Sequence, residues 1–264
     1  MLCVLSYANP DNPPDPPERS RRRQKRTTQE RIHRMYKSHT VSAIVTCAGR
    51  GVRFGSNKLL VKISGVTILE KTVREFVHPA IDEVIVTVAP ENREEYEQIL
   101  IERACLPVTL VNGGEERFIS AMLGLQATSG SMIMVHDGVR PFVNSDLIMR
   151  ALDAGVEYGA AMLGTPTVVQ LKLVDEEEFI SGSLDRSHSW LGQTPQVFLR
   201  ELLDKAYSAA IADRYARISD DADLVAEYTG HKVKIVRGED YNIKITTRTD
   251  LLMADQIMAQ ADFR

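Results

Sequence analysis

Three cations and three glycines share one short loop. It reads Gly49-Arg50-Gly51-Val52-Arg53-Phe54-Gly55-Ser56-Asn57-Lys58, and an apolar run, Val41 to Cys47, leads directly into it. Glycine lets backbone N–H groups come close to a ligand, and the cationic side chains answer negative charge. A simple strand-to-helix corner would gain nothing from crowding like charges, whose repulsion has no offset there. The combination points to a polyphosphate bound at the end of a strand.

Two familiar phosphate loops do not fit. The P-loop places Lys-Ser/Thr directly after its last glycine, whereas Ser56 and Asn57 separate Gly55 from Lys58. The dinucleotide fingerprint has Gly-x-Gly-x-x-Gly and then an acidic residue about 20 positions on. Here the third glycine falls one place late, at Gly55, and the next apolar run, Val84 to Ala89, meets Pro90 without an acid.

Other polar segments follow in order. They are Asn112-Gly113-Gly114-Glu115-Glu116-Arg117, Val135-His136-Asp137-Gly138-Val139-Arg140-Pro141, Leu184-Asp185-Arg186, Gln193-Thr194-Pro195-Gln196, Ser219-Asp220-Asp221-Ala222 and Asn242-Ile243-Lys244-Ile245-Thr246. Together with Ala48 to Lys58, this succession resembles the 2-C-methyl-D-erythritol 4-phosphate cytidylyltransferase family of the non-mevalonate isoprenoid pathway, over about residues 41–260. The resemblance implies attack by a substrate phosphate oxygen on the α-phosphorus of CTP, with release of pyrophosphate. Negative charge accumulates in such a step, so positioned cations matter more than proton transfer.

The resemblance assigns Arg53, Lys58, Arg186 and Lys244 to catalysis, with Arg50 a lesser candidate. It assigns CTP to Ala48, Gly49, Arg50, Gly51, Gly113, Gly114, Glu115, Ser120, Asp137 and Gly138, the Gly113 loop selecting cytosine. It assigns the acceptor to Asp137, Arg140, Gln170, Arg186, Thr194, Ser219 and Lys244, with Thr194 as a donor to substrate. Asp137 could hold Mg²⁺, accept a hydroxyl, or serve only as an Asx-type turn residue. Mg²⁺ or another divalent cation is expected because CTP carries one, not because a ligand cluster is visible. His136 reads as a packed histidine, since no proton abstraction is required. Two departures fall on the acceptor side. Val169-Gln170 stands where the family has Asp-Thr, and Ser219 replaces a Thr. Val169 cannot hydrogen-bond an alcohol, so a pentitol phosphate such as ribitol 5-phosphate is an alternative acceptor.

The elements that must position these residues alternate from Val41 onward. Strand-like runs cover 41–47, 83–89, 107–111, 131–136, 159–165 and 232–236, and helical stretches cover 67–77, 91–103, 117–128, 145–157, 199–211, 220–229 and 249–260. This order predicts an α/β fold, a mostly parallel Rossmann-like sheet covered on both faces. Ligands in such sheets sit beyond the carboxyl ends of the strands, so the loops after residues 47, 111 and 136 should open on one rim. Residues 168–190 break the pattern and read as a projecting β-arm. An isolated hairpin is only marginally stable in water, and the resemblance implies a homodimer through interlocked arms, with Arg186 serving the partner's site.

The chain has 264 residues, 44% hydrophobic and 26% charged, which is ordinary globular composition. Residues 1–40 carry net charge +5 and the rest −9, so the folded part lacks the basic face of a nucleic-acid binder. The tail is rich in proline and arginine and is expected to be a disordered extension. It is either dispensable, an upstream start with Met35 near the natural beginning, or a transit peptide; these alternatives set a cytoplasmic against a plastid-type location. Three scattered cysteines suggest a reducing compartment. No apolar run approaches the ~18 residues that span a bilayer.

Overall fold

The computed structural model describes residues 36–49, 57–213 and 220–260. Arg50, Gly51, Arg53 and Ser219, expected at the site, lie outside these residues. Seven strands form one sheet: β1 (Val41–Cys47), β4 (Glu83–Val88), β5 (Thr109–Asn112), β6 (Met132–Asp137), β7 (Ala160–Pro166), β10 (Trp190–Leu199) and β11 (Lys234–Arg237). Two short pairs accompany it, β2 (Lys62–Ile63) with β3 (Val66–Thr67), and β8 (Lys172–Val174) with β9 (Ile180–Ser183). The sheet order is β11-β7-β10-β6-β1-β4-β5. β1 pairs in parallel with β4 and β6, β4 with β5, and β11 with β7, whereas β10 runs antiparallel to both β6 and β7. The mostly parallel α/β expectation holds.

β1 shows why the sheet is buried on both sides. Val41, Ala43, Val45 and Cys47 pack into one core, and Ile44 faces the other. The near-continuous apolar run is what a doubly covered strand needs. The first face is covered by α1 (Ile68–Glu75), α2 (Arg93–Glu97, continued by a π-helical segment Gln98–Arg103), α4 (Ser145–Tyr158) and α7 (Arg248–Ala259). The second is covered by α3 (Arg117–Gln126), α5 (Arg200–Ala212) and α6 (Asp221–Thr229). Helix starts are set by side-chain caps: Thr67, Asn144, Asp220 and Thr247 each accept from a backbone N–H in the first turn.

Two features depart from the sequence expectation. Residues 36–40 had been assigned to the N-terminal extension, yet they dock on the fold, with Tyr36 and Lys37 both bonded to Asp153 of α4. The sequence also suggested no strand at 190–199. β10 fills the gap between β6 and β7 there, its register shifting between Gln193 and Gln196 around a cis Thr194–Pro195 bond. The arm is present as expected, and among the described residues β8 and β9 pair only with each other. Val168, Phe179 and Ile180 on it are 83%, 66% and 68% exposed.

Candidate active site

The loops after β1, β5 and β6 do open on one rim. A cavity of about 380 Å³ is lined there by Ala48 and Gly49 after β1, Gly114 to Arg117 and Ser120 around the start of α3, Asp137 at the end of β6, and Lys58, Lys244 and Thr246. Close backbone packing draws the walls together. A Cβ on Gly113 would lie 2.4 Å from the Ala48 Cβ and 2.8 Å from the Ser120 Oγ, and one on Gly138 would lie 2.3 Å from the Cys47 Sγ. Neither glycine tolerates a side chain without displacing the opposite loop. Gly113 and Gly138 thus shape the cavity without lining it. Ser120 Oγ accepts from the Gly114 N–H at 3.1 Å and fixes the second wall.

Lys58 opens a short 3₁₀ turn, Lys58–Leu60, capped by the Asn57 side chain and anchored by buried Leu59. The Tyr96 hydroxyl donates to the same Asn57 oxygen at 3.0 Å, so α2 braces the base of the cationic loop. On the opposite side Ile245, fully buried, anchors the irregular stretch bearing Lys244, and its N–H donates to the Val139 carbonyl.

Asp137 is the electrostatic centre. Its carboxylate, almost fully buried, meets Arg117 Nε at 2.7 Å, Lys244 Nζ at 2.9 Å and Arg140 Nε at 3.3 Å. Burial alone would raise its pKa, but Arg117, Lys244 and Arg140 outweigh burial and hold it well below the usual carboxylate range. Arg140 has little left for a ligand: Nη1 donates to the Asn242 carbonyl and Nη2 to the Gly192 carbonyl. It reads as a clamp between the β6 loop, β10 and the Lys244 segment, and it lines a smaller pocket together with Thr194 and Lys244.

His136 is fully buried, and burial pushes its pKa down to about 3. It is neutral, with Nε2 facing the Arg140 carbonyl at 3.1 Å. A carbonyl only accepts, so Nε2 carries the proton and Nδ1 is an acceptor. The Thr194 hydroxyl, 2.9 Å from Nδ1, donates to it, while its oxygen accepts from the Asp137 N–H. In this arrangement its proton is committed to His136, and Thr194 supports the Asp137 turn while lining the smaller pocket beside Lys244. Cys47 is equally buried, and burial followed by the Asp137 charge drives its thiol pKa up. It packs as a small apolar group and is no nucleophile.

Arg117 received no role from the sequence, although it stands in the Gly113 segment. It bridges two buried carboxylates, Asp137 through Nε and Asp221 through Nη1, each at 2.7 Å. Its position three residues before Ser120, on the first turn of a helix entering the cavity wall, was the available signal. The acceptor-side candidates Gln170 and Arg186 lie apart from this cavity, around a shallow depression on the arm with Asp185 and Ser187. Among the described residues no three His, Cys, Asp or Glu side chains are grouped to hold a metal.

Comparison with known proteins agrees with the geometry. The family model for 2-C-methyl-D-erythritol 4-phosphate cytidylyltransferase matches residues 41–260. The enzyme of that name from Caldanaerobacter subterraneus is 36% identical over 222 residues, spanning 81% of this chain and 97% of the relative. Its namesake from Geobacillus thermodenitrificans is 39% identical over 223 residues, spanning 82% and 96%. The crystal structure of 2-C-methyl-D-erythritol 4-phosphate cytidylyltransferase from Thermus thermophilus superposes with a TM-score of 0.70 at 31% identity, covering 84% of this chain and all of that one. A synthase from Anaerococcus prevotii gives 0.75 at 29% identity, covering 84% and 96%. On the strength of the matched span and these identities, the chain belongs to the 2-C-methyl-D-erythritol 4-phosphate cytidylyltransferase family.

Proposed function

We propose that this cytidylyltransferase transfers the CMP group of CTP to 2-C-methyl-D-erythritol 4-phosphate in the cavity lined by Gly49, Lys58, Gly114 and Lys244. One observation carries the reading: Lys58 and Lys244, from segments far apart in sequence, line a single cavity with the amides of two loops. A phosphate oxygen of the acceptor attacks the α-phosphorus of CTP. A new P–O bond forms, the bond to the bridging oxygen breaks, and pyrophosphate leaves. Charge grows on the non-bridging α-oxygens, where fixed cations in a water-poor site stabilise it most. Lys58 faces the triphosphate and Lys244 the incoming phosphate, with Asp137 holding the ammonium in place at 2.9 Å. By the motif they occupy, Arg53 joins Lys58, and Arg50 and Gly51 complete the loop. Ser120 supports the Gly114 amide at the base-binding wall, and Ser219 belongs to the acceptor side.

A divalent cation is expected to arrive on the triphosphate. Asp137 does not suit a metal in this arrangement, because both its oxygens already accept from cations, and no step is routed through one.

The arm supports a homodimer. Its exposed apolar side chains form the kind of surface that marks a partner site, and its two strands are too few to be stable alone. In that assembly Arg186 and Gln170 would reach the acceptor end of the partner's cavity. The curated relatives are named for methylerythritol phosphate, and the pentitol phosphate alternative is not favoured. No helix among the described residues is long and apolar enough to cross a membrane. The sparse, scattered cysteines support a reducing compartment such as the cytoplasm, or a plastid-type one if the residues ahead of the fold act as a transit peptide.

The test is pyrophosphate release by the purified chain with CTP, UTP or GTP against methylerythritol phosphate or ribitol 5-phosphate. Turnover is expected with CTP and methylerythritol phosphate. Silence with that pair overturns the reading.

A further inference from the structure

Asp221 opens α6 and has no exposed surface. A buried carboxylate is costly unless it is paired and hydrogen-bonded. Both its oxygens are engaged: Oδ2 accepts from Arg117 Nη1 at 2.7 Å, and Oδ1 accepts from the Tyr207 hydroxyl at 2.8 Å. Tyr207 lies on α5 and is itself 2% exposed. Two helices on one face of the sheet are thereby tied to a side chain in the cavity wall.

The way Arg117 divides its donors is informative. Nε goes to Asp137 and Nη1 to Asp221, while Nη2, buried, has no hydrogen-bond partner among the described residues. An arginine facing one carboxylate prefers a bidentate fork that uses two neighbouring nitrogens. With Asp137 alone the pair would close in that manner and engage Nη2. Two carboxylates pulling on different nitrogens hold the guanidinium open.

We propose that Asp221, braced by Tyr207, is a positioning residue for the nucleotide: it keeps Nη2 of Arg117 out of an internal fork with Asp137, so that a small turn of this cavity-lining side chain brings Nη2 to a CTP oxygen. This rests on the reading of the cavity as the CTP site. Asp221 itself touches no substrate. Its loss lets Arg117 close a fork on the Asp137 oxygen it already meets and withdraws Nη2 from the nucleotide, while the other Asp137 oxygen stays with Lys244. The defect therefore falls first on CTP, and misplacement of this order costs about tenfold or more in rate.

The experiment is steady-state pyrophosphate release by the full chain, varying CTP and methylerythritol phosphate separately. Wild type is compared with Tyr207→Phe, Asp221→Asn, Arg117→Lys and the Asp221→Asn/Arg117→Lys double variant, with melting temperature measured for each. Asp221→Asn is expected to lower kcat/KM for CTP by about tenfold or more while the acceptor KM holds. Tyr207→Phe should act in the same direction but more weakly. The double variant should be no worse than Arg117→Lys alone, because Asp221 acts through that side chain. A merely structural role predicts a lower melting temperature with unchanged kcat/KM for CTP, or additive effects in the double variant, and either result overturns the inference. If Asp221→Asn does not fold, Tyr207→Phe decides by itself: an unchanged CTP KM refutes the proposal. Wild type that releases no pyrophosphate refutes the functional reading and the inference with it, which differs from an active wild type with unresponsive variants.

Discussion

Replacing Asp137 with asparagine removes one negative charge from among three cations while hardly changing shape. The carboxylate is 5% exposed and lies 2.7, 2.9 and 3.3 Å from nitrogens of Arg117, Lys244 and Arg140. Asparagine still accepts at one oxygen, but its amide turns donors toward donors, and the cations then repel one another. Breaking a buried ion pair from one side costs about 3–5 kcal/mol. The cationic side chains here are 11%, 25% and 40% exposed, so water recovers part of that, and the low end of about 3 kcal/mol is the better expectation. For a domain of this size each kcal/mol moves Tm by roughly 2–4 °C. Asp137→Asn should therefore melt roughly 6–12 °C below wild type in calorimetry. Turnover should fall as well, because Lys244 loses the group that fixes its ammonium. A variant melting within about 2 °C of wild type would show that the three cations do not depend on this charge, and the electrostatic account of the site would be wrong.

Lys58→Ala should raise the barrier by about 2.7–4 kcal/mol, seen as a loss of about a hundredfold or more in kcat with the fold intact; a change below about threefold would remove Lys58 from catalysis. Gly113→Ala should push the Ala48 and Ser120 walls apart, since the added methyl would sit 2.4 Å from one and 2.8 Å from the other, and should raise KM for CTP; an unchanged KM would deny the close packing. His136 titrates at about 3 in the folded state against 6.5 when unperturbed. Its folded pKa is lowered, so the unfolded chain binds the extra proton and stability is lost as pH falls from about 6.5 toward about 3, by about 1.4 kcal/mol per unit. The stability gap between wild type and His136→Gln should accordingly narrow by about 2 kcal/mol on going from about pH 7 to about pH 5 in urea titrations, and a constant gap would contradict a buried neutral imidazole. Phe179→Asp with Ile180→Asp on the arm should shift the assembly from dimer to monomer in sedimentation velocity, with turnover falling in step; full turnover from a monomer would dissociate the arm from the site.

Lys58 and the alternating elements were readable because both signals are local. Apolar runs at 41–47 and 131–136 became Val41–Cys47 and Met132–Asp137 with their ends displaced by at most one residue, since a strand buried on both faces must be apolar throughout. β10 was unreadable for the opposite reason. Gln193-Thr194-Pro195 is polar and carries a proline, which argues against a central strand. Only the vacant lane between β6 and β7, and a register shift that accommodates the proline, makes it one. The internal bonds of Thr194 and Arg140 were not legible, because side-chain type reveals donor capacity but not which acceptor will claim it.

By itself the sequence determined that glycines and cations would gather where strands end, and it named the family, because backbone periodicity and residue chemistry are properties of short segments. Only the tertiary structure decided which charges meet. Arg117 finds Asp221 across 104 positions of chain, and Asp137 gathers cations from three separate stretches. The strength of such pairing depends on distance and burial in the folded molecule, and neither quantity is written in the order of the residues.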